Sequence, residues 1–161
     1  MMNGIYLLSG SNLGNRMAWL EQALTAIEKR VGKIKAQSSL YETAAWGKED
    51  QPSFLNQVVE VSTELTPLEL ISTLLSIEKE LERTREEAWA PRTLDLDILY
   101  YGNHVVSTPG LTLPHPRLHL RRFTLVPLCE IAPLFVHPVL KKNNLQLLAE
   151  CPDQLQVNLL E

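Results

Sequence analysis

Pro91-Arg92-Thr93-Leu94-Asp95-Leu96-Asp97-Ile98-Leu99-Tyr100-Tyr101 is the stretch that decides the fold. Read as a strand, its side chains alternate faces with period two. Leu94, Leu96, Ile98 and Tyr100 then share one face, and Asp95 and Asp97 share the other. At about 3.3 Å rise per residue the two carboxylates stand about 6.6 Å apart along the strand. Like charges at that spacing repel, so stability gives little reason for the pair. One reading is a solvated face with two incidental acids. The other is a seat for one or two Mg²⁺ ions whose coordination is completed by substrate phosphates.

The neighbourhood of the pair is rich in arginine. Six of the eight arginines are Arg83, Arg85, Arg92, Arg117, Arg121 and Arg122, and no lysine falls between Lys79 and Lys141. A guanidinium presents a planar fork matched to phosphate oxygens and stays charged. Solvated ion-pair partners are the plainer alternative. Acid pair and arginine cluster together suggest a Mg-polyphosphate site. The remainder of the chain is compatible with that. Its 161 residues suit one domain, 1–161, and 45% hydrophobic content is that of a globular protein. A formal charge of −4 disfavours a duplex-binding protein and suits a small anionic ligand recognised by local basicity. Cys129 and Cys151 lack metal or redox spacing and are expected as free thiols of a cytoplasmic protein. The N-terminus does not read as a signal peptide, and no run approaches the roughly 20 apolar residues of a membrane span.

Outward from the acid-bearing strand, other elements follow from periodicity. Gly4 to Ser9 reads as a buried strand ending in the turn Gly10-Ser11-Asn12-Leu13-Gly14. A helix from about Arg16, capped by Asn15, carries Met17, Leu20, Leu24, Ile27 and Val31, and Gly32 stops it. Extended runs are expected over Ile34 to Thr43 and Phe54 to Thr63, with Leu55, Val59 and Val61 on one side of the second and Phe54, Asn56 and Val58 on the other. The connection Ala44 to Ser53 is too long for a tight hairpin and reads as a mobile loop. Thr66-Pro67-Leu68-Glu69 is a capping box opening a helix to about Glu82, with Ile71, Leu74 and Leu75 as its apolar stripe. Glu78 falls inside that stripe, either snorkelling outward or reaching a ligand. The order β-α-β-β-α-β is the ferredoxin-like α+β arrangement, an antiparallel sheet with helices on one face. Beyond Gly102, six of the ten prolines, from Pro109 to Pro138, break the chain into short pieces of a Pro-rich extension packed on the same domain, with helices expected over Arg122 to Ile131 and Leu145 to Glu150.

Chemistry-bearing groups remain ambiguous when taken singly. The Gly10–Gly14 turn is neither a P-loop nor a dinucleotide fingerprint. His115, between Pro114 and Pro116, is a rigidly held donor or an exposed histidine. Phe54, Asn56 and Phe123 are either core residues or a site for a flat heterocycle with a polar edge. Their order along the chain is more specific. Gly10-Ser11-Asn12-Leu13-Gly14, Asp50-Gln51-Pro52-x-Phe54-Leu55-Asn56, Trp89-x-Pro91-Arg92-Thr93-Leu94-Asp95-Leu96-Asp97-Ile98 and Pro114-His115-Pro116-Arg117 resemble the 6-hydroxymethyl-7,8-dihydropterin pyrophosphokinase family over essentially the whole chain. The resemblance implies diphosphate transfer from ATP to the pterin hydroxymethyl group, release of AMP, and two Mg²⁺ held by Asp95 and Asp97.

It further implies a pterin pocket of Thr43, Ala44, Trp46, Phe54, Asn56, Asp95 and Phe123. On the ATP side it implies Glu78, Arg83, Arg85, Trp89, Arg92, Ile98, Thr112, His115 and Arg121. Arg83 and Arg92 join the two acids as catalytic groups, and Asp97 is the nearest guess for a general base. The loops Ala44 to Ser53 and Arg83 to Ala90 are expected to close over the site. Ala44, Ala45, Ala88, Ala90 and Gly110 depart from the family's habit at those positions. The implied partners are ATP and the hydroxymethyl-dihydropterin, with no nucleic acid or membrane, and the protein is expected as a monomer. Two other readings compete: a nucleotidyltransferase, which needs its acids much nearer the Gly-Ser, and a ferredoxin-like RNA-binding module, which needs exposed aromatics on a basic sheet face.

Overall fold

The computed structural model describes residues 3–12, 15–44, 53–83 and 94–160. The predicted order is present. Strand β1 (Ile5–Ser11) leads to helix α1 (Arg16–Arg30), strands β2 (Gly32–Gln37), β3 (Tyr41–Thr43) and β4 (Phe54–Thr63), helix α2 (Pro67–Arg83) and strand β5 (Leu94–Tyr101). A small hairpin follows, β6 (Val106–Thr108) and β7 (Leu111–Leu113), then a 3₁₀ turn at Leu118–Leu120. Helices α3 (Arg122–Ile131) and α4 (Asn144–Glu150) and strand β8 (Val157–Leu159) close the chain. The main sheet runs β5-β1-β4-β3-β8, with β2 also on β4, and every pairing is antiparallel.

The run expected from Ile34 to Thr43 is therefore two strands lying end to end along β4. Ser38 sits at the interruption and keeps β4 paired across it. Its N–H donates to Val58 O at 2.8 Å, its Oγ accepts from Val58 N at 3.0 Å, and its carbonyl accepts from Gln57 Nε2 at 2.8 Å. Gly32 starts β2 because its backbone passes so close to β4 that a Cβ would lie 2.0 Å from Ser62 O. The first expected strand also runs two residues longer than predicted: Gly10 and Ser11 are paired with both neighbours rather than turning.

Helices α1 and α2 pack on one face of the sheet. Leu20, Ala23 and Ile27 meet Leu70, Leu74 and Ile77 over Ile5, Leu7, Leu55, Val59, Val61, Leu94, Leu96 and Ile98. The buried stripe of α2 is thus Leu70, Leu74 and Ile77, rotated from the predicted one, and Leu75 is 49% exposed. Met17, placed by periodicity on the core side of α1, is 48% exposed, and the buried residues of this helix are Leu20, Ala23 and Ile27. Both helix starts follow their capping signals. Asn15 Oδ1 accepts from Ala18 N, and Thr66 and Glu69 exchange backbone-to-side-chain bonds of 2.9 and 3.2 Å.

The two helices of the βαββαβ unit thus share one face, as the ferredoxin-like arrangement predicts, and the extension supplies the helices of the other. Helices α3 and α4 cover the other side, over Tyr6, Leu8, Val58 and Tyr100. Tyr100 belongs to this second layer, not with Leu94, Leu96 and Ile98 as the alternation predicted. Leu7 pairs with Ile98 and Tyr6 with Tyr100, so Leu99 is an extra residue that bulges and reverses the faces beyond it. Tyr101 accordingly joins the α1/α2 layer and donates its hydroxyl to Leu65 O. Tyr100 is fully buried, and its hydroxyl donates to Asn144 Oδ1 at 2.8 Å while Asn144 Nδ2 donates to Ala132 O at 2.7 Å.

That chain fastens α4 to β5 and α3. Asn144→Ala strands the buried Tyr100 hydroxyl and is expected to cost about 1–3 kcal/mol. Tyr100→Phe placed on top of it removes the orphaned hydroxyl, so the double variant should lose less than the two singles summed. Urea midpoints of all three variants test the coupling, and strict additivity would show the bond chain to be unimportant.

Candidate active site

The site follows from the pairing register of β1 with its two neighbours. Gly10 stands opposite both Asp95 and Asn56, and Leu8 opposite both Asp97 and Val58, so two cross-strand rows run over the α3 face. Phe54 pairs with Thr43 at the end of β4. Helix α3 covers only part of this face. The remainder is the floor of a cavity of about 680 Å³ whose walls include Arg117, Leu120, Arg121 and Phe123. Gly10 has a steric reason to lack a side chain: a Cβ there would lie 2.5 Å from Asn56 Oδ1.

Asp95 and Asp97 face the cavity on the side opposite Leu94, Leu96 and Ile98, as the alternation predicted. The cavity walls thin the hydration of Asp95, and together with the charges of Asp97 and Glu82 this holds its carboxyl above the usual range. Arg121 is shifted down by burial and by the Arg117 charge, and Asp97 opposes that shift. Its guanidinium lies 5.4 Å from the centre of the Phe123 ring, fixing both on one wall. Among the described residues no ion pair joins Asp95, Asp97, Arg117 and Arg121. Thr43 is buried at the floor with its Oγ1 unpartnered there. Two carboxylates and two guanidiniums that form no ion pair among the described residues therefore converge with an orphaned hydroxyl on one space.

Thr43, Ala44, Phe54, Asn56, Asp95, Asp97, Arg121 and Phe123 line this cavity together. Glu78, Ile98, Thr112 and His115 do not line it, and gather about β5 instead. Ile98 is buried under α1 and α2, and Thr112 is exposed on β7. The His115 backbone N donates to Leu99 O at 2.9 Å, while its Nδ1 accepts from Arg117 N at 3.1 Å, which leaves the ring proton on Nε2. Burial, with the Arg121 and Arg117 charges, holds this imidazole toward the neutral form against the pull of Asp97. Trp46, Arg85, Trp89 and Arg92, the side chain of Arg83 and most of both expected closing loops lie outside the described residues.

Glu78 Oε2 accepts from Leu96 N at 2.6 Å, so its carboxylate holds the peptide between the two acids. Arg122, by contrast, bonds Leu155 O and serves the packing of the C-terminal segment. Two further features escaped sequence reading. Arg16 Nη1 reaches Glu42 at 2.8 Å and Ser53 O at 2.9 Å, and Ser53 Oγ donates to Glu42 at 2.7 Å, bracing the ends of β3 and β4 beside Thr43 and Phe54. These bonds hold the Glu42 carboxyl below its ordinary value. Pro152, Asp153 and Leu155 form part of the wall. No local pattern announces either feature, because each depends on partners far away in sequence.

The family model described as 7,8-dihydro-6-hydroxymethylpterin-pyrophosphokinase matches residues 6–133. The chain belongs to this family. A Bacillus subtilis relative, a 2-amino-4-hydroxy-6-hydroxymethyldihydropteridine pyrophosphokinase, is 46% identical over 132 residues, covering 81% of this chain and 79% of its own. An Aquifex aeolicus relative of the same name is 40% identical over 141 residues, covering 88% of each. Among solved structures, wild-type Plasmodium falciparum HPPK-DHPS matches with a TM-score of 0.74 at 18% identity, over 93% of this chain and 45% of that one, a likeness of fold. The matched residues carry β1 through α3, the elements that bear the floor of the cavity and its arginine wall.

Glu78 generates a prediction of its own. Burial, then the Asp95, Asp97 and Glu82 charges, push its carboxyl up to about 7 from 4.5, against the opposing Leu96 N–H. Between those values the folded protein binds more protons than the unfolded chain. Stability of the ligand-free protein therefore falls as pH rises through the window, and the penalty is complete above 7. Glu78→Gln keeps an acceptor for Leu96 N and removes the charge. It should be more stable than wild type at pH 8, by about 1 kcal/mol once solvent screening is allowed for, and equal to it below 4.5. Denaturant titrations at both pH values check this, and a pH-independent difference would contradict it.

Proposed function

We propose that the chain is an ATP-dependent pyrophosphokinase that transfers a diphosphate to 6-hydroxymethyl-7,8-dihydropterin and releases AMP, acting in folate biosynthesis in the cytoplasm as a single domain and a monomer. The observation that carries the reading is the convergence of Asp95 and Asp97 with Arg117 and Arg121 over a floor of Gly10 and Asn56, in a chain of this family. Among the described residues no helix is long and apolar enough to cross a membrane.

The heterocycle is assigned to the Thr43, Ala44, Phe54, Asn56 and Phe123 end. Asn56 and the unpartnered Thr43 hydroxyl meet its polar edge, and the phenylalanines hold its faces. The polyphosphate is assigned to Arg117 and Arg121, with Arg83, Arg85 and Arg92 from the arginine cluster. Trp46 completes the pterin end, and Glu78, Trp89, Ile98, Thr112 and His115 complete the nucleotide side. Magnesium fits the acid pair: two carboxylates with no ion-pair partner among the described residues are what the ion takes from protein when phosphates supply its other ligands. Held by Asp95 and Asp97, one or two Mg²⁺ would neutralise phosphate charge and acidify the hydroxyl.

The chain's own part is positioning and charge stabilisation. The pterin is clamped so that its hydroxymethyl oxygen attacks the β-phosphorus, the bond from that phosphorus to the AMP oxygen breaks, and AMP departs with the electron pair. Asp97 accepts the hydroxyl proton. His115 is unsuited to that task, because its outward nitrogen already carries a proton; it donates to a phosphate oxygen instead. Helices on both faces of the sheet favour this reading over an RNA-binding module, whose central strands must lie open.

Asp95→Asn and Asp97→Asn remove a ligating charge and also the like-charge repulsion. The ligand-free variants should be as stable as wild type or slightly more so, while AMP formation falls by roughly 10²-fold or more. Mg²⁺ with a non-hydrolysable ATP analogue should raise the melting temperature of wild type and do so far less for the variants. Variants that melt earlier, turn over normally and keep the full shift would refute the assignment.

Gly10→Ala addresses the other end. The added methyl meets the Asn56 side chain rather than backbone, so Asn56 must swing away. Pterin affinity should fall about tenfold, the worth of one hydrogen bond, while affinity for the nucleotide analogue stays constant. Calorimetric titration with each ligand separates the two. Equal losses would mean that the strand, not the pocket, had been damaged.

A further inference from the structure

Residues 152–155 contribute Pro152, Asp153 and Leu155 to the cavity wall, although the family model ends at residue 133. The segment is fastened at several points. Asp153 Oδ2 accepts from Arg122 N at 3.0 Å, its Oδ1 accepts from Leu155 N at 2.9 Å, and Arg122 Nε donates to Leu155 O at 3.2 Å. Immediately beyond, β8 pairs with β3 so that Val157 stands opposite Thr43, and Leu160 N donates to Leu40 O at 2.9 Å. Because both oxygens of Asp153 are engaged by backbone N–H groups, the carboxylate is a fastener. What the segment shows the cavity is apolar: Pro152 and Leu155, beside Leu120, which stays 45% exposed.

The sheet order places this wall opposite the acids. Asp95 and Asp97 are on β5, and β1, β4 and β3 intervene before β8. At about 4.8 Å per strand, β5 and β8 are roughly 19 Å apart. A ligand whose reacting end lies at the acids therefore meets the C-terminal wall with its far, heterocyclic end. We infer that Leu155, with Pro152 and Leu120, is a specificity-determining wall that limits the size of apolar substituent the heterocycle can carry. The inference rests on the pterin reading above. Thr43 and Asn56 recognise the polar edge, and the C-terminal segment fixes how much room is left beside it.

The test compares Leu155→Ala and Leu155→Phe with wild type, using the unsubstituted hydroxymethyl-dihydropterin and analogues bearing ring methyl, ethyl and propyl groups. Leu155→Ala should raise kcat/KM for the ethyl or propyl analogue relative to the parent by about tenfold, the scale on which pockets discriminate methylene groups. Leu155→Phe should lower that ratio, and KM for ATP should not move in either. Because the two changes act in opposite directions on a ratio, a generally damaged fold cannot imitate the result. Ratios unchanged in both variants would overturn the inference while leaving the activity intact. Failure of wild type to convert the parent pterin would instead overturn the reading beneath it.

Discussion

Antiparallel pairing of β5 with β1 is the interaction on which the rest of the structure depends. It sets Asp95 beside Gly10 and Asp97 beside Leu8, and so decides that two like charges share one face of an edge strand. Their repulsion at about 6.6 Å is roughly 0.6–2.5 kcal/mol for effective dielectrics between about 80 and 20. On the reverse face Leu94, Leu96 and Ile98 are almost fully buried. Each such side chain contributes about 1.5–3 kcal/mol, so the hydrophobic face outweighs the repulsion and holds the acids where they are. The fold thus keeps an electrostatically unfavourable pair by burying the opposite face of the same residues' strand.

The edge position of β5 explains Glu78. An edge strand leaves outward N–H groups without a neighbouring strand, and in the middle of the acid pair that group belongs to Leu96. Glu78 supplies the missing acceptor from α2. Periodicity located the residue inside the apolar stripe and suggested either a snorkelling chain or a ligand contact. Its bond to a backbone amide, supplied from the side, is a third outcome that no helical pattern encodes, since the partner lies 18 residues away. Burial of a carboxylate so placed, and then the field of the acids it steadies, push it up to about 7.

Where a residue's surroundings follow from its own element, the sequence was legible. The order of the first six elements, the caps of α1 and α2, the extents of α3 and the alternation on β4 all come from local rules of period and capping. Thr43, Ala44, Phe54, Asn56, Asp95, Asp97, Arg121 and Phe123 were named from motif order, and they share one cavity. Local rules failed where a second element intervened. One bulged residue, Leu99, moved Tyr100 to the other face. Packing of α2 against α1 and the sheet buried Leu70 and Ile77 rather than Leu75. The Arg16–Glu42–Ser53 brace and the Asp153 fastening join residues 11 to 37 positions apart, beyond the reach of any window.

The Asp153 fastening also bears on how the cavity attracts anions. A helix start usually offers unsatisfied N–H groups and a partial positive charge, and α3 begins at the cavity wall. Here Asp153 occupies the Arg122 N–H and brings a full negative charge to that end. The helix terminus is therefore neutralised from within the protein, and in the function proposed above attraction for phosphate falls to side chains. In that reading Arg117 and Arg121 bear it, at the caps of the 3₁₀ turn and of α3, with no ion pair to an acid among the described residues, and the Arg117 charge adds to burial in lowering the Arg121 pKa. A rigid guanidinium pair favours oxygens arranged to match its forks, whereas a bare helix end accepts almost any anion. Under the function proposed above, capping α3 with an acid from the C-terminal segment would exchange general anion affinity for selectivity toward a phosphate chain held in one orientation.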